Sequence, residues 1–268
     1  LMQPVFHHHA HAAIVAGECA GADPWLVFAW DGTGYGEDGS IWGGEALLGR
    51  PGRWRRVGSF RPFRLPGGDK AGREPWRSAA ALAWALGFDW RPAGIDVDLA
   101  REAWQRGINT PTSSAVGRLF DACAALAGLP AGTSFEAQAP MLWESAARYT
   151  DTATGDALPI DAQDGLLLVD WAPLVGLSMD NSRSIADRGT AMHAILAATL
   201  VEQARQLRDQ YGAFRVGLSG GVFLNRHLTE AALRGLSTAG FEVHLPQTVP
   251  YNDAGLSYGQ VIESLDTP

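Results

Sequence analysis

Phe214-Arg-Val-Gly-Leu-Ser-Gly-Gly-Val-Phe-Leu-Asn225 sets the fold class. A run of strand composition enters Ser219-Gly220-Gly221, a sharp bend built from residues with little or no side chain, and a helix is predicted beyond it over 224–238. Phe241-Glu-Val-His-Leu245 reads as a second strand and 253–265 as a closing helix. Strand, helix, strand and helix at these lengths form a βαβα unit, which needs a parallel sheet with helices packed on it. Working outward, a long amphipathic helix is predicted over 187–211, ending at Gly212, and a strand over 165–171. Helices at 77–87, 97–106, 113–127 and 134–149 make the middle of the chain mainly helical, the last with Thr133 and Glu136 spaced as a capping box. Trp25-Leu-Val-Phe-Ala-Trp30 and a run from Ile41 predict a β-hairpin around the tip Asp31-Gly-Thr-Gly-Tyr-Gly-Glu-Asp-Gly39, and 53–63 a further strand. Residues 6–18 read as a helix, closed by a turn at Gly21-Ala22-Asp23-Pro24.

Composition removes several functional classes. The 268 residues are 46% hydrophobic and 19% charged, enough for an ample core without staples. No apolar run reaches the length of a membrane helix, and Leu1-Met2-Gln3-Pro4 lacks the basic-then-apolar build of a signal peptide, so the expectation is cytoplasmic, with no membrane partner. Cys19 and Cys123 have no paired spacing, which gives neither a disulfide framework nor a cysteine zinc knuckle. Lys70 is the only lysine, so there is no Walker A loop, and a Schiff-base mechanism would hang on that one residue. A net charge of −8 argues against a general nucleic-acid surface.

The seven histidines are unevenly spread, with four of them inside His7-His8-His9-Ala10-His11. His7 and His11 differ by about 40° around a helix, so both rings leave one face and can hold one metal ion. The flanks Val5-Phe6 and Ala12-Ala13-Ile14-Val15 have the composition of a buried helix, not of a purification tag. His8 and His9 point elsewhere, so at most one of them also faces the site. Two imidazoles need further ligands, and Asp31 at a strand end and Asp253 at a helix start are the candidates. Ordinarily the first would be a turn former and the second an N-cap.

The turn Ser219-Gly220-Gly221-Val222, with Asn225 in the first turn after it, can offer backbone N–H groups to an anion or a nucleotide. Together with a second glycine loop at Gly32 and Gly34, it suggests a nucleotide clamped between two lobes. That arrangement resembles the actin-like ATPase superfamily (the ASKHA fold), an α/β class that needs no Walker lysine.

Val5-Phe6-His7-His8-His9-Ala10-His11, the Asp31–Gly39 loop with Trp42-Gly-Gly-Glu45, Leu65-Pro-Gly-Gly-Asp69 and Arg73-Glu-Pro-Trp-Arg77 are similar to the hydrogenase maturation family HypF. So are Ser134-Phe-Glu-Ala-Gln138, Leu218-Ser-Gly-Gly-Val-Phe-Leu-Asn225 and Pro250-Tyr-Asn-Asp-Ala-Gly255, in the family's order. The resemblance implies a two-lobed actin-like fold without the opening strands of its N-terminal lobe. On that reading 1–75 is the remainder of that lobe, 76–165 a helical middle and 166–268 a βαβα lobe. It implies transfer of a carbamoyl group from carbamoyl adenylate, made from carbamoyl phosphate and ATP in a YrdC-like domain, to the C-terminal cysteine of the partner HypE. That product leads to the cyanide ligands of nickel–iron hydrogenase.

The family's divalent metal, iron or zinc, would fall on His7, His11, Asp31 and Asp253. Its nucleotide contacts would fall on Gly32, Gly34, Gly220, Gly221 and Asn225, with Asp121 and Glu136 near the ribose. His8 or His9 would accept the incoming thiol's proton, or else pack behind the metal ligands. Phe6 stands where Gln is more usual and Ala137 and Ala254 where Gly is, and their added bulk predicts a slightly weaker nucleotide site. Three other readings remain: an O-carbamoyltransferase for small molecules, a tRNA-modifying relative and a non-catalytic docking module.

Overall fold

The computed structural model describes residues 4–19, 24–148 and 155–265; the turn expected at Gly21-Ala22-Asp23 and the predicted helix end at 149 lie outside them. In chain order the elements are α1 (His7–Glu18), β1 (Trp25–Trp30), β2 (Gly44–Gly49), β3 (Arg55–Phe60), β4 (Phe63–Arg64), α2 (Pro75–Ala85), α3 (Asp98–Gln105), β5 (Thr112–Ser113) and α4 (Val116–Leu126). There follow α5 (Gln138–Ala146), β6 (Ile160–Gln163), β7 (Leu166–Val169), α6 (Ala172–Met179), α7 (Ile185–Tyr211), β8 (Arg215–Ser219), α8 (Arg226–Thr238), β9 (Val243–His244) and α9 (Leu256–Leu265).

Seven strands form one sheet in the order β6-β7-β3-β2-β1-β8-β9. The predicted hairpin is β1 and β2, antiparallel from Trp25 opposite Gly49 to Trp30 opposite Gly44. On its other edge β1 pairs in parallel with β8, Phe28 facing Leu218. All six residues of β1 are buried, and the alternation of a strand divides them. Leu26, Phe28 and Trp30 enter the main core, while Val27 and Ala29 pack with Ala12 and Val15 of α1 on the opposite face. α1 in turn packs against α9 and across β8.

This pairing corrects the expected partition of the chain. Residues 25–60 and 215–244 supply neighbouring strands of one sheet, so 1–75 is not the remnant of a separate lobe standing apart from 166–268. An apolar strand buried on both faces needs an edge partner on each side, and β8 is the partner that β1 lacks within its own segment.

Local chemistry accounts for two further differences. Thr133 and Glu136 form no capping box: the Thr133 hydroxyl donates to the Arg73 carbonyl (3.1 Å), Glu136 turns to Arg118, and α5 starts only at Gln138. Its N-cap is Ala137, held at φ 64°. A residue with a Cβ is strained there, which is the physical sense of glycine being usual at this position. α6 escaped the sequence reading because Pro173 and the short apolar stretch around it carry no helical period.

Glu45 of the Trp42-Gly-Gly-Glu45 motif is structural. It is fully buried and its carboxylate accepts from the N–H groups of Gly43 (2.5 Å) and Gly44 (2.7 Å), from Arg56 Nη2 (2.9 Å) and from the hydroxyls of Ser59 (3.0 Å) and Ser114 (2.6 Å). These bonds fix the mouth of the hairpin just behind Asp31.

Two stability changes are expected. Glu45→Gln confronts buried donors with an amide N–H₂ and leaves Arg56 with Asp38 as its one remaining carboxylate partner, so it should cost about 3 kcal/mol in urea unfolding; an unchanged midpoint would deny Glu45 this role. Ala137→Gly relieves the left-handed backbone and should gain about 0.5–1 kcal/mol in the same measurement.

Candidate functional site

His7 and His11, one turn apart on α1, bring their Nε2 atoms to 3.2 Å from each other. Asp31 Oδ2 stands 3.2 Å from His7 Nε2 and 3.0 Å from His11 Nε2, and Asp253 Oδ1 stands 3.6 and 3.3 Å from the same two atoms. Four donors on metal–ligand bonds of about 2.1 Å in a tetrahedron are about 3.4 Å apart, so this set has the size of such a site. Imidazole with carboxylate suits iron, zinc or manganese. Among the described residues no other group of three or more such donors gathers this closely.

Each donor is placed by a specific local device. Asp31 follows the last residue of β1; its N–H donates to the Gly43 carbonyl (2.8 Å) and its Oδ1 accepts from Gly32 N–H (2.8 Å), which leaves Oδ2 for the histidines. It is therefore a turn former and a donor at once. At the other end Asn252, not Asp253, caps the short turn that begins α9, its Oδ1 accepting from Ala254 N–H (3.2 Å). Asp253 is thus released from the ordinary duty of its position. The Ser219 hydroxyl donates to the Tyr251 carbonyl (3.2 Å) and lies 3.4 Å from His11 Nδ1, where it accepts the ring N–H and leaves Nε2 for the cluster. Ser219 was legible in sequence only as part of a bend.

The electrostatics of the cluster are strongly coupled. Burial works against a charged His11, but hydrogen bonds to Asp253 and Asp31 outweigh it and raise its pKa to about 8. Burial likewise works against ionised Asp31, and the bonds from His11 and His7 outweigh it, holding its carboxyl well below the usual range.

The two middle histidines separate. His8 is fully buried beside His7 and His11, with ring centroids 5.0 and 6.2 Å away, and neither of its nitrogens has a hydrogen-bond partner. Burial, then the neighbouring His7 and His11, push its pKa well down, so it is neutral. His9 turns away: its Nε2 lies 3.6 Å from Glu37 and its Nδ1 3.7 Å from Glu263, a residue that also accepts from the Trp54 indole (2.8 Å). Only His8 stands beside the donors. Gly34 sits against both rings, and a Cβ there would come within 2.6 Å of His7 and of His8, so this glycine makes room for imidazoles.

A cavity of about 490 Å³ opens next to Asp31, lined by Gly32, Thr33, Lys70, Arg73, Arg118 and Glu136 among others. Gly32 and Glu136 both line this cavity. Asp121 is not at the surface of this cavity: it is 1% exposed, beneath Arg118 Nη1 at 3.2 Å. Burial raises its pKa to about 7 against the opposing Arg118 charge, with Glu136 adding to the rise. Arg118 is the residue that faces inward, bridging Asp121 to Glu136 (3.2 Å). The spacing of Arg118 and Asp121, three apart on α4, is a signal that the sequence offered. Gly220, Gly221 and Asn225 are not among the residues lining the cavity. Gly220, at φ 105°, forms the bend after β8 and donates its N–H to Tyr251 (2.6 Å), and a Cβ on Gly221 would meet Asp31 Oδ1 at 3.0 Å.

Comparison with known proteins gives a consistent result. Residues 27–260 match the family described as carbamoyltransferase, Kae1-like domain, second subdomain, of HypF. The chain is 36% identical to a carbamoyltransferase HypF from Rhizobium leguminosarum bv. viciae, over 96% of this chain and 34% of the relative. It is 38% identical to a HypF homolog from Cupriavidus necator, over 96% of this chain and 69% of that protein. The crystal structure of a full-length HypF in phosphate- and nucleotide-bound form superposes with a TM-score of 0.88 at 31% identity, covering 97% of this chain and 35% of that one. The chain spans about a third of the length of the full-length curated relatives it matches.

His11→Ala and Asp253→Ala should each lower bound metal in elemental analysis, and full metal content in both would remove the assignment. The metal-free protein has a pH signature of its own. His11 is raised from 6.5 to about 8, so its contribution to stability is complete below 6.5 and lost as pH rises through 8. Asp31 is depressed from 3.8, so its contribution is complete above that value and lost as pH falls below it. The melting temperature of metal-free protein should therefore fall between about pH 7 and 9, and His11→Ala should flatten that limb.

Proposed function

The chain belongs to the HypF carbamoyltransferase family, in the second subdomain of its Kae1-like domain, and we propose that it carries out carbamoyl transfer from carbamoyl adenylate to the C-terminal cysteine thiol of HypE. The observation that carries this reading is adjacency. The four donors and the cavity meet at consecutive residues, Asp31 and Gly32, so a nucleotide held in one presents its reacting end to the other. An actin-like fold belongs to the same proposal, with this chain as one of its lobes. Its support is that the two glycine-rich strand ends, after β1 and β8, lie side by side in one parallel pair.

In this reading Gly32 and Thr33, with Arg118 and Glu136, seat the nucleotide, and Lys70 and Arg73 supply positive charge at the cavity wall for its phosphate. The thiol sulfur attacks the carbamoyl carbon, a C–S bond forms, and the C–O bond to phosphate breaks with its electron pair leaving on AMP. The thiol proton needs an acceptor, and neutral, unpartnered His8 is the imidazole placed beside the reacting end. His9, engaged by Glu37 and Glu263, supports α1. A divalent ion held by His7, His11, Asp31 and Asp253 would supply Lewis-acid stabilisation of the charge developing on the leaving group. The adenylate comes from the YrdC-like domain of the longer protein, in the cytoplasm where HypE is met.

The test supplies carbamoyl adenylate and a HypE tail peptide ending in cysteine, and follows the thiocarboxamide by mass spectrometry. Transfer is expected with wild-type protein, reduced about a hundredfold or more by His11→Ala and by His8→Ala but little by His9→Ala. Transfer only to hydroxyl acceptors would replace this reading by small-molecule O-carbamoylation. No transfer with nucleotide and metal both bound would leave a docking module.

A further inference from the structure

We infer that Cys19, with His244 as its base and Glu242 behind that base, is a modification site: a thiol set to exchange with a low-molecular-weight disulfide and to take up a mixed disulfide. The inference stands apart from the carbamoyl-transfer reading and uses no residue of the metal cluster or of the cavity.

The two cysteines of the chain have opposite surroundings. Cys123 is fully buried in α4, and burial pushes its thiol up to about 12, the condition of an inert core thiol. Cys19 is half-buried at the C-terminal cap of α1, and its Sγ lies 3.5 Å from His244 Nδ1. Nε2 of the same ring lies 2.8 Å from Glu242 Oε1. A carboxylate oxygen accepts, so Nε2 carries the proton of the neutral ring and Nδ1 is left as an acceptor, to which the thiol S–H donates. Nucleophile, base and a third group that orients the base stand in a row, the arrangement that activates a thiol. The side chains of His244 and Glu242 are 26% and 63% exposed, so the group opens to solvent and to a small reagent.

The fold assembles this row from residues 225 positions apart. α1 packs across β8, and β9 pairs in parallel with β8 with His244 opposite Gly217, so the end of α1 meets the end of the sheet. The Trp25 ring stands edge-on to the imidazole at 5.1 Å and is itself covered by Arg215 at 4.0 Å, which holds His244 in place. The surroundings make the base necessary. Burial, then Glu18, raise the pKa of the Cys19 thiol, with Glu242 adding to the rise and Arg215 opposing it, and the C-terminal end of a helix also disfavours a negative charge. Free thiolate is therefore scarce, and the sulfur becomes nucleophilic as its proton passes to Nδ1. In the exchange, Sγ attacks one sulfur of the disulfide and a new S–S bond forms. The old S–S bond breaks with its electron pair on the departing sulfur, and the proton held by His244, whose imidazolium Glu242 stabilises, passes to that thiolate. The disulfide is the oxidant, so the step balances as one thiol consumed and one released.

The experiment treats the intact protein with hydroxyethyl disulfide, an uncharged probe, and follows the Cys19 and Cys123 peptides by mass spectrometry. Cys19 should take up the mixed disulfide while Cys123 stays unreacted. His244→Leu removes the base and should slow the reaction of Cys19 about tenfold. A second readout needs no variant: long-range ¹H–¹⁵N spectra of the unmodified wild-type protein should show His244 as the Nε2–H tautomer. Glu242→Gln, whose Oε1 still accepts, should keep that tautomer, and Glu242→Ala should mix the two forms. Should His244→Leu unfold, labelling of Cys123 reports it, and the wild-type tautomer decides the case. An Nδ1–H tautomer, a folded His244→Leu protein reacting at the wild-type rate, or a wild-type Cys19 as slow as Cys123 would overturn the proposal.

Discussion

Trp25–Trp30 is apolar throughout and is buried on both faces, and the rest of the molecule is arranged around that one requirement. A strand of this kind needs a neighbour on each edge and a layer on each side. β2 and β8 supply the edges, the large core with α4 and α7 supplies one side, and α1 supplies the other. The site is a consequence of where this packing ends. α1 crosses the strand with Ala12 and Val15 turned inward, so its first turn, carrying His7 and His11, overhangs the strand's last residue and the aspartate that follows it. Asp253 joins them because α9 packs on α1.

Charge is balanced separately in the cluster and in the cavity. With both imidazoles neutral, the four donors carry the charge of two carboxylates, which matches a divalent cation, and Asp31, the buried one of the two, is the costlier to keep ionised without one. The proton drawn onto His11 replaces part of that charge. At the cavity wall Arg118 is shared between Glu136, which lines the cavity, and Asp121 beneath it, and burial keeps Asp121 near its protonation point. A protonated Asp121 leaves the charge of Arg118 to Glu136 and to whatever enters. The acidic chain as a whole is thus no obstacle to an anionic ligand, because the local balance is set by buried side chains.

The parts of this arrangement that depend on neighbours in sequence were legible in sequence. The four-residue spacing of His7 and His11, the hairpin around Asp31 and the bend at Gly220 all follow from local geometry, and each stands where the reading put it. Contacts between distant segments were not legible. Nothing local says that β1 and β8 are neighbours, that Arg118 reaches Glu136 across eighteen residues, or that His193 meets Asn225 across thirty-two residues. The capping box failed for the same reason: Thr133 and Glu136 have local spacing for a cap, but Arg73 and Arg118 compete for them and win. Glu45 shows the converse, a motif residue whose partners, including Ser114 sixty-nine positions away, make it part of the frame and not of the chemistry.

The three departures from the family's usual residues can be weighed in these terms. Added bulk was expected to crowd the site, yet Phe6 and Ala254 are both exposed, and Phe6 lies edge-on to His9, outside the four donors. Neither residue is at positive φ. Ala137 differs because its cost is in the backbone, at φ 64°, next to Glu136 on the cavity wall. Strain of this kind is tolerated when surrounding contacts hold the residue in place. Here Ser134 N–H donates to Gln138 Oε1 (2.8 Å) across the turn, Thr133 is tied to Arg73, and Glu136 is tied to Arg118. The substitution therefore draws on the stability of a loop whose carboxylate is already anchored from α4, and the geometry of the cavity wall is carried by Arg118 more than by the backbone that precedes α5.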